Sequence, residues 1–420
     1  MGGAALFLNE RMLFGMSLLD RLCEESAWQE YRQYKSIHGC MTLRESEGLD
    51  LFIKEKRYLP IAKTLEFSVP ERKSINKSGG KKRLVYILPE DESRVLKLLT
   101  WLMYKYDGAF EPCCYSFRKG CSARDAFADI FRIRGLSSKF VLKLDIHDYF
   151  NSMPSKRLCE ELAEVITDDP QLLAFLTRFY MDGRASAGGM IITEDRGAMA
   201  GIPLSAFCAN IYLAPVDRHF ESLGIPYFRY SDDILMMFDS KNELDEGLET
   251  FTRMIEERGL SLNPDKLAIA GPGEAWSFLG FKYEKGRLDL SDVTVSKMKA
   301  KIRRKARSLY RWRIRKDASY DRAATAMIRR FNRKFYDPDG DREFTWSRWF
   351  FPLLTRTDGL HELDAYLADK LRWLYTGRTC KANYAVIYSH LKELGFRSLV
   401  NEYYRSKKEE GEQDAPEKEA

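Results

Sequence analysis

The chain lacks the long apolar runs and paired cysteines that mark several large classes of protein. No run of about eighteen apolar residues occurs, so the sequence predicts no membrane span. The eight cysteines include no C-x-x-C pair, and no histidine lies near the Cys113–Cys121 cluster to complete a zinc set. The N-terminal apolar stretch is too short for a signal peptide. We therefore expect reduced core thiols, a cytoplasmic protein and no membrane partner.

Acidic residues are missing from one strongly basic segment. The net charge of the 420-residue chain is only +6, but residues 297–316 carry eleven Lys or Arg and no Asp or Glu. Apolar residues recur there at steps of three and four, which predicts a helix with one buried face from Val295 to about Arg315. The basic faces are typical of a helix lying against phosphates, although a solvated face on a packed helix is the alternative. The expected nucleic-acid contacts there are Lys301, Arg304, Lys305 and Arg311.

Two adjacent carboxylates stand between two apolar runs. Asp232 and Asp233 follow Tyr230-Ser231, with strand-forming residues on both sides, so the sequence predicts a hairpin with both acids at its tip. At about 4 Å and an effective dielectric near 20, their repulsion would be on the order of 4 kcal/mol. A bound divalent cation would relieve that repulsion, and Mg²⁺ is the expected ion. A solvated turn is the plain alternative.

A second apolar strand ends in a carboxylate, Asp145. If this strand lies beside the Asp232-Asp233 hairpin, three carboxylates converge and can hold two Mg²⁺ ions, with Mn²⁺ as a substitute. Such an arrangement is typical of phosphoryl transfer. The predicted catalytic residues are the three aspartates, and the predicted metal ligands are Asp145, Ile146, Asp232 and Asp233.

These segments resemble the motifs of reverse transcriptases. Tyr230-Ser-Asp-Asp233 is similar to that family's Tyr-x-Asp-Asp signature, and the segment around Asp145 resembles its first palm motif. Gly201-Ile-Pro-Leu-Ser205 with Asn210, then Gly259 to Lys266, then Phe278 to Phe281 follow in the family's order. The resemblance spans about residues 80 to 285. It implies an RNA-directed DNA polymerase, a nucleotidyltransferase that uses an RNA template and dNTPs and makes cDNA.

The resemblance also implies residues that bind the nucleotide. Lys81, Lys82, Arg83 and Arg118 are expected near the triphosphate, the first three in a flexible basic loop from Lys73 to Arg83. Phe150 is expected to stack under the sugar and exclude a 2′-hydroxyl, and Lys266 to protonate the departing pyrophosphate. The implied nucleotide-binding set is Lys82, Arg83, Arg118, Phe150, Ser205 and Lys266. Tyr230 and Gly280, the latter in the turn of a primer-grip hairpin, are expected to contact nucleic acid.

The chain departs from many members of the family at two positions. Ala200 and Ala206 stand where a Gln and a Pro are usual. Together with the absence of a maturase-like segment, this favours the bacterial defence-associated reverse transcriptases of the unknown groups over group II intron or retron enzymes. Such proteins copy a structured noncoding RNA and act against phage. Two alternatives stay open, namely a retron enzyme making RNA-linked DNA and a non-catalytic RNA-binding scaffold.

The predicted fold class is α+β, a right-hand polymerase fold with fingers, a palm of antiparallel sheet plus helices, and a helical thumb. The predicted domains are an N-terminal helical extension (1–75), fingers (76–140), a palm (141–285, with part of the fingers inserted near 155–200), a basic helical thumb (286–405) and a disordered acidic tail (406–420).

Overall fold

The computed structural model describes residues 16–38, 41–76, 82–336 and 345–413. Two compact units divide the chain, Met1–Pro272 and Gly273–Ala420. Helices and antiparallel sheets are mixed along it, which confirms the α+β class. Across the described residues, no helix combines the length and the apolar character that crossing a membrane requires.

Helices dominate the first unit, and several begin with the capping residues that their sequence supplies. Thr42 and Ser240, for example, each accept a hydrogen bond from the backbone three residues on, which satisfies an otherwise unpaired helix N–H. The α-helices of this unit are α1 (Leu18–Arg21), α2 (Glu25–His38), α3 (Leu43–Lys54), α4 (Tyr58–Thr64), α5 (Glu90–Leu102), α6 (Ala123–Phe131), α7 (Tyr149–Ser152), α8 (Ser155–Val165), α9 (Pro170–Asp182), α10 (Ser205–Ser222) and α11 (Lys241–Glu257).

Two sheets belong to the first unit. One has the order β2-β1-β4-β5 and the other β6-β7-β3-β8. Their strands are β1 (Glu71–Asn76), β2 (Lys82–Ile87), β3 (Phe140–Asp145), β4 (Arg184–Ala187), β5 (Met190–Thr193), β6 (Tyr227–Tyr230), β7 (Asp233–Phe238) and β8 (Ala268–Ala270). Strand β7 and most of β3 are buried because helices cover that sheet. After Asp233, β7 is therefore a continuous apolar run, whereas the apolar run of β3 is interrupted by Lys143.

The prediction of a flexible loop from Lys73 to Arg83 is wrong at both ends of that segment. Residues up to Asn76 belong to β1, and Lys82 and Arg83 belong to β2, which pairs with β1 in antiparallel register from Glu71 opposite Ile87 to Asn76 opposite Lys82. Cross-strand backbone hydrogen bonds order these basic residues, an effect that their composition alone does not reveal. Lys81 lies outside the described residues.

The second unit combines a small sheet with helices. Its sheet has the order β11-β10-β9. The strands are β9 (Trp276–Phe278), β10 (Phe281–Glu284) and β11 (Arg287–Leu290), and the α-helices are α12 (Asp292–Arg315), α13 (Tyr320–Phe335), α14 (Trp346–Phe350), α15 (Asp358–Thr376), α16 (Tyr388–Glu393) and α17 (Leu399–Gln413). The division between the units falls at residue 272, earlier than the predicted boundary at 285, because this sheet packs with the helices that follow it.

The prediction of a disordered tail from residue 406 is wrong as far as Gln413, where α17 ends. The Asp364 carboxylate accepts hydrogen bonds from Ser398 Oγ (2.6 Å) and from the backbone N–H of Leu399 (2.8 Å), so it caps the start of α17. The Tyr403 hydroxyl donates to the Leu354 carbonyl at 2.8 Å. These contacts anchor the helix at its apolar start and let it extend into the charged residues. Residues 414–420 lie outside the described part.

Candidate active site

The Asp232-Asp233 pair lies at the tip of a two-residue hairpin, as predicted. Tyr230, at the end of β6, pairs with Asp233, at the start of β7, so Ser231 and Asp232 form the turn. Ser231 has φ of +64°, in the left-handed region that tight hairpin turns require. The turn therefore holds two carboxylates side by side.

Strand β3 brings the third carboxylate to the same place. Antiparallel pairing of β3 with β7 sets Asp145 directly opposite Asp233. Directly opposed residues project from the same face of a sheet, with Cβ atoms about 5 Å apart. Asp145 is 3% exposed, and the Ile146 N–H donates to the Asp232 carbonyl at 3.4 Å. The structure thus brings together the three aspartates that the sequence singled out.

A fully buried ion pair lies behind the hairpin. The guanidinium of Arg229 donates from Nε to Asp217 Oδ1 at 2.7 Å, and neither side chain is exposed. The Tyr227 hydroxyl also donates to Asp217, at 3.0 Å. A buried charge pair is tolerated only when its remaining hydrogen-bonding groups also have partners. Here the remaining N–H groups of Arg229 find some of those partners in the hairpin turn.

Hydrogen bonds connect this ion pair to Ser231. Arg229 Nη1 donates to the Asn210 side-chain oxygen at 3.0 Å and to the Ser231 carbonyl at 3.3 Å. The Ser231 N–H donates to Ser116 Oγ at 2.7 Å, and Asn210 Nδ2 donates to the Ser116 carbonyl at 2.7 Å. Both backbone groups of Ser231 are therefore held by buried partners, which fixes the orientation of Asp232 beside it.

Two lysines and an asparagine contact the carboxylates. The Lys266 ammonium forms an ion pair with Asp145, Asn263 Nδ2 donates to Asp145 Oδ1 at 3.0 Å, and Lys143 Nζ lies 3.6 Å from Asp233 Oδ1. Burial would lower the pKa of Lys266, but the contact with Asp145 outweighs it and raises that pKa. Burial, and then the charges of Asp145 and Asp233, raise the pKa of Asp232. The site therefore concentrates negative charge that cations must balance.

A cleft of about 550 Å³ opens at these carboxylates. Basic residues of β2 line it together with acidic residues of β3 and the hairpin and an aromatic side chain, Phe150. The lining residues are Lys82, Arg83, Asp145, Ile146, His147, Asp148, Tyr149, Phe150, Asp232, Asn263, Pro264, Asp265 and Lys266. The cleft thus combines a metal-type acidic face with cations suited to phosphates.

Comparison with known proteins decides the family of this region. The family model described as "Reverse transcriptase (RNA-dependent DNA polymerase)" matches residues 75–283. The chain carries a reverse transcriptase domain. This match, together with the mixed helices and antiparallel sheets, gives the right-hand polymerase fold that the motifs implied. A comparison with curated proteins found no match.

Among solved structures, the chain is similar in fold to telomerases from two Candida species. Apo telomerase from Candida tropicalis matches at 10% identity and a TM-score of 0.47, covering 81% of this chain and 62% of that one. Telomerase from Candida albicans with a fragment of telomeric RNA matches at 12% identity and a TM-score of 0.42, with 81% and 64% covered. This chain therefore spans less than two thirds of their length. Likeness at this level says nothing of what the chain binds.

Reverse transcriptases generally use divalent metal ions, and the donor chemistry of this site fits such ions. Asp145 and Asp232 line one cleft and Asp233 lies opposite Asp145 in the sheet, while burial and then the neighbouring carboxylates raise the pKa of Asp232. Within the described residues, however, no three His, Cys, Asp or Glu side chains are arranged closely enough to hold an ion. The Lys266 ammonium pairs with one oxygen of Asp145 in this arrangement.

Two predicted nucleotide-binding residues of the reverse transcriptase domain lie elsewhere. The Arg118 guanidinium pairs with Asp107 at 2.9 Å and donates to the carbonyls of Glu111 (2.8 Å) and Cys114 (3.1 Å), so the structure does not bring it into the cleft. Ser205 is buried at the start of α10, where its hydroxyl donates to the carbonyls of Ala198 and Met199. It holds the bend that enters the helix. Lys82, Arg83, Phe150 and Lys266 do line the cleft.

The remaining predicted nucleic-acid contacts lie in the second unit, apart from Tyr230. Gly280 forms the β9–β10 turn with φ of +89°, and a Cβ there would lie 3.1 Å from Thr294 Oγ1, so glycine is required. On α12 the predicted apolar face is buried, with Val295, Met298 and Ile302 inside. Lys301, Arg304 and Arg311 are exposed, whereas Lys305 is half-buried. Lys305 and Arg311 line a second cavity of about 500 Å³.

Sequence reasoning missed several residues of the site. Asn263 donates to Asp145 through its side chain and also through its backbone N–H, at 2.8 Å to the Asp145 carbonyl. Lys143 stands two residues before Asp145 and so shares its face of β3, a signal that strand periodicity provides. His147 and Asp148 also line the cleft. The buried Arg229–Asp217 pair gave no local signal, because only the tertiary fold places α10 behind β6.

Proposed function

We infer that this chain is an RNA-directed DNA polymerase. One observation carries the proposal, namely that the reverse transcriptase domain pairs Asp145 with Asp233 in the sheet and lines one cleft with Asp145, Asp232, Lys82 and Arg83. In the reaction, the 3′-oxygen of a primer attacks the α-phosphate of a dNTP. A phosphodiester bond forms, the bond to pyrophosphate breaks, and the hydroxyl proton is lost.

The chain's own residues have separable tasks in this proposal. Asp145, Asp232 and Asp233, with Ile146, would hold the divalent metal ions, for which we propose two Mg²⁺. When bound, such ions lower the pKa of the attacking hydroxyl and neutralise the departing pyrophosphate. Lys82 and Arg83 on β2 would hold the triphosphate by charge. Phe150 would exclude the 2′-hydroxyl of an NTP, and Lys266 would leave Asp145 and donate a proton to pyrophosphate.

Primer extension with purified protein, an annealed RNA template and dNTPs tests this function. The Asp232→Ala, Asp233→Ala variant should lose several decades of rate, since each lost carboxylate removes several kcal/mol of transition-state stabilisation. Asp239→Ala is the matched control, because Asp239 follows the same strand but is exposed at the far end. Full activity of the double variant would refute the assignment. RNA binding without extension by the wild type would favour the scaffold instead.

For its biological role, we propose a cytoplasmic bacterial enzyme that copies a structured noncoding RNA in defence against phage. The resemblance to the unknown-group enzymes and the departures at Ala200 and Ala206 support this assignment, and the seven described cysteines, all free, suit a reducing compartment. Sequencing the RNA and DNA that co-purify from cells tests it. Long or repeated copies of one RNA are expected, whereas a 2′–5′ branched product would identify a retron enzyme.

A further inference from the structure

A second basic segment lies in the C-terminal unit, away from the long basic helix α12 in the sequence. Residues 370–392 contain five Lys or Arg and no Asp or Glu. They run from the last turns of α15 through a short 3-10 helix at Lys381–Ala385 to α16. Four aromatic residues, Trp373, Tyr375, Tyr384 and Tyr388, are interleaved with the cations.

The tyrosines of this segment are unusually open to solvent. Tyr384 is 70% exposed, Tyr375 44% and Tyr388 39%, and Ile387 between them is 60% exposed. Apolar and aromatic side chains clustered at such exposure mark interaction surfaces more often than ordinary protein surface. We call the set of Arg372, Tyr375, Arg378, Lys381, Tyr384 and Tyr388 the tyrosine patch.

Hydrogen bonds hold the backbone of the tyrosine patch in one shape. Thr376 Oγ1 donates to the Asn383 side-chain oxygen at 2.6 Å, and Asn383 Nδ2 donates to the Arg378 carbonyl at 2.7 Å. Arg372 Nε donates to the Val386 carbonyl at 3.1 Å. The exposed rings are thus displayed on an ordered loop, so a ligand that binds them loses little loop entropy.

Cations lie against the tyrosine rings. The Arg372 guanidinium lies 5.9 Å from the centre of the Tyr384 ring, and Lys392 Nζ lies 5.2 Å from that of Tyr388. The Tyr320 ring packs edge-on against Tyr375 at 5.8 Å, and its buried hydroxyl has no hydrogen-bond partner among the described residues. Acidic groups also lie near the patch: His390 contacts Asp321 and Glu393, and burial and then the charge of Asp364 raise the pKa of Tyr388.

We propose that the tyrosine patch binds unpaired RNA. Aromatic faces for stacking, with cations beside them for phosphates, are the combination that single-stranded nucleic acid requires, since bases paired in a duplex do not expose their faces. RNA is favoured over DNA because a newly made DNA strand leaves the enzyme paired with its template, whereas a structured RNA presents unpaired loops and ends. This inference rests on the proposed polymerase function.

The test compares the affinity of the full chain for a blunt primer–template hybrid with that for hybrids carrying single-stranded RNA overhangs of graded length at either end. An RNA overhang should tighten binding by the wild type. In the Tyr384→Ala, Tyr388→Ala variant, the gain in affinity that the RNA overhang gives should fall by about tenfold or more, because stacking on each aromatic is worth about 1–3 kcal/mol per base. The affinity for the blunt hybrid should stay unchanged, and so should the extension rate on a hybrid whose RNA template overhang is only a few nucleotides long.

Matched variants separate stacking from other effects. The Tyr384→Phe, Tyr388→Phe variant keeps both rings and should keep the gain in affinity from the RNA overhang. The Tyr404→Ala variant removes a tyrosine of 59% exposure on α17 and should leave that gain unchanged. An undiminished gain in the double alanine variant would overturn the proposal, and so would an equal gain from a DNA overhang. Altered self-association with unchanged RNA affinity would assign the patch to a second copy instead. A wild type that never extends a primer annealed to an RNA template with a 5′ overhang would refute the polymerase function, not the patch.

Discussion

Phe150 is the aromatic side chain best placed to distinguish dNTPs from NTPs, because it is partly buried in the wall of the cleft that holds Asp145 and Asp232. Phe150→Ala should raise the kcat/KM for NTPs relative to dNTPs by about ten- to a hundredfold, since removing the ring makes room for a 2′-hydroxyl. Single-nucleotide incorporation measures this ratio. Phe117→Ala is the control, because its ring contacts Phe150 at 6.3 Å but does not line the cleft. An unchanged ratio would show that Phe150 only packs.

The buried Arg229–Asp217 pair should position the catalytic turn. Asp217→Ala leaves a buried guanidinium without its carboxylate, which should destabilise the protein by about 3–5 kcal/mol. Replacing both residues by apolar ones, Arg229→Met with Asp217→Leu, should recover most of that stability. Extension should nevertheless fall, by up to about a hundredfold, because the Ser231 carbonyl and Asn210 lose their donor and the turn shifts.

Chemical denaturation and primer extension on the same variants separate the two effects. The expected signature for the double variant is a lower kcat with a KM for dNTP close to that of the wild type. If the double variant is both stable and fully active, the pair contributes only to folding. If it fails to fold, Asn210→Ala, which removes one contact of Arg229 and leaves the ion pair intact, provides the same kinetic test.

At the residue scale, the sequence predicts charge and spacing but not the choice of partner. The three aspartates could be predicted because Asp145 ends an apolar strand and Asp232 and Asp233 stand between two others, and the sheet then brings these strand ends together. Arg118 could not, because Asp107, eleven residues earlier, competes for its guanidinium and only the fold decides that competition. The same holds for Lys266, whose contact with Asp145 joins residues far apart in the chain.

At the scale of elements, a close approach of backbones joins β2 to the segment before α10. The Tyr86 N–H donates to the Ala200 carbonyl at 2.8 Å, and a Cβ on Gly201 would lie 2.7 Å from the Tyr86 carbonyl oxygen. Gly201 has φ of +110°. This contact links the strand that carries Lys82 and Arg83 to the helix that carries Asn210 and Asp217. It leaves room only for glycine at position 201.

Gly201→Ala should therefore lower the free energy of unfolding by considerably more than the strain of a positive φ alone would. Gly188→Ala is a matched control, because Gly188 also has positive φ, +61°, but a Cβ there would meet nothing within 4 Å. The control should lose about 1–2 kcal/mol, and Gly201→Ala about 1–3 kcal/mol more. Urea denaturation measures both. Equal losses would mean that the β2 contact adjusts without strain.

Elements with a strong local pattern could be predicted, and those stabilised by a distant group could not. The α12 stripe and the β6–β7 hairpin carry their own periodicity and turn residues. The apolar run from Leu84 predicts the second half of β2, whereas β1 and the first two residues of β2 were hidden because they are mostly charged or polar. Helix α17 was hidden because its cap, Asp364, lies on α15, far away in the sequence.

At the scale of the whole molecule, the acidic cluster makes stability and activity depend on the same charges. Burial and the neighbouring carboxylates raise the pKa of Asp232, so the metal-free first unit holds charges that repel one another. Divalent ions that bind the folded state alone should stabilise this unit by RT ln(1 + [L]/Kd), about 1.4 kcal/mol at ten times Kd. The second unit lacks these aspartates, so its melting should not respond.

Calorimetry with and without Mg²⁺, and with EDTA, measures this difference. The Asp232→Asn, Asp233→Asn variant should melt higher than the wild type in EDTA, because neutral amides remove the repulsion. It should gain little or nothing from Mg²⁺, and it should not extend a primer. The Asp239→Asn control should behave as the wild type in all three measurements. If Mg²⁺ raised the melting temperature of the wild type and of the variant equally, the ions would bind elsewhere. A site that has lost its carboxylates cannot favour the folded state as strongly as before.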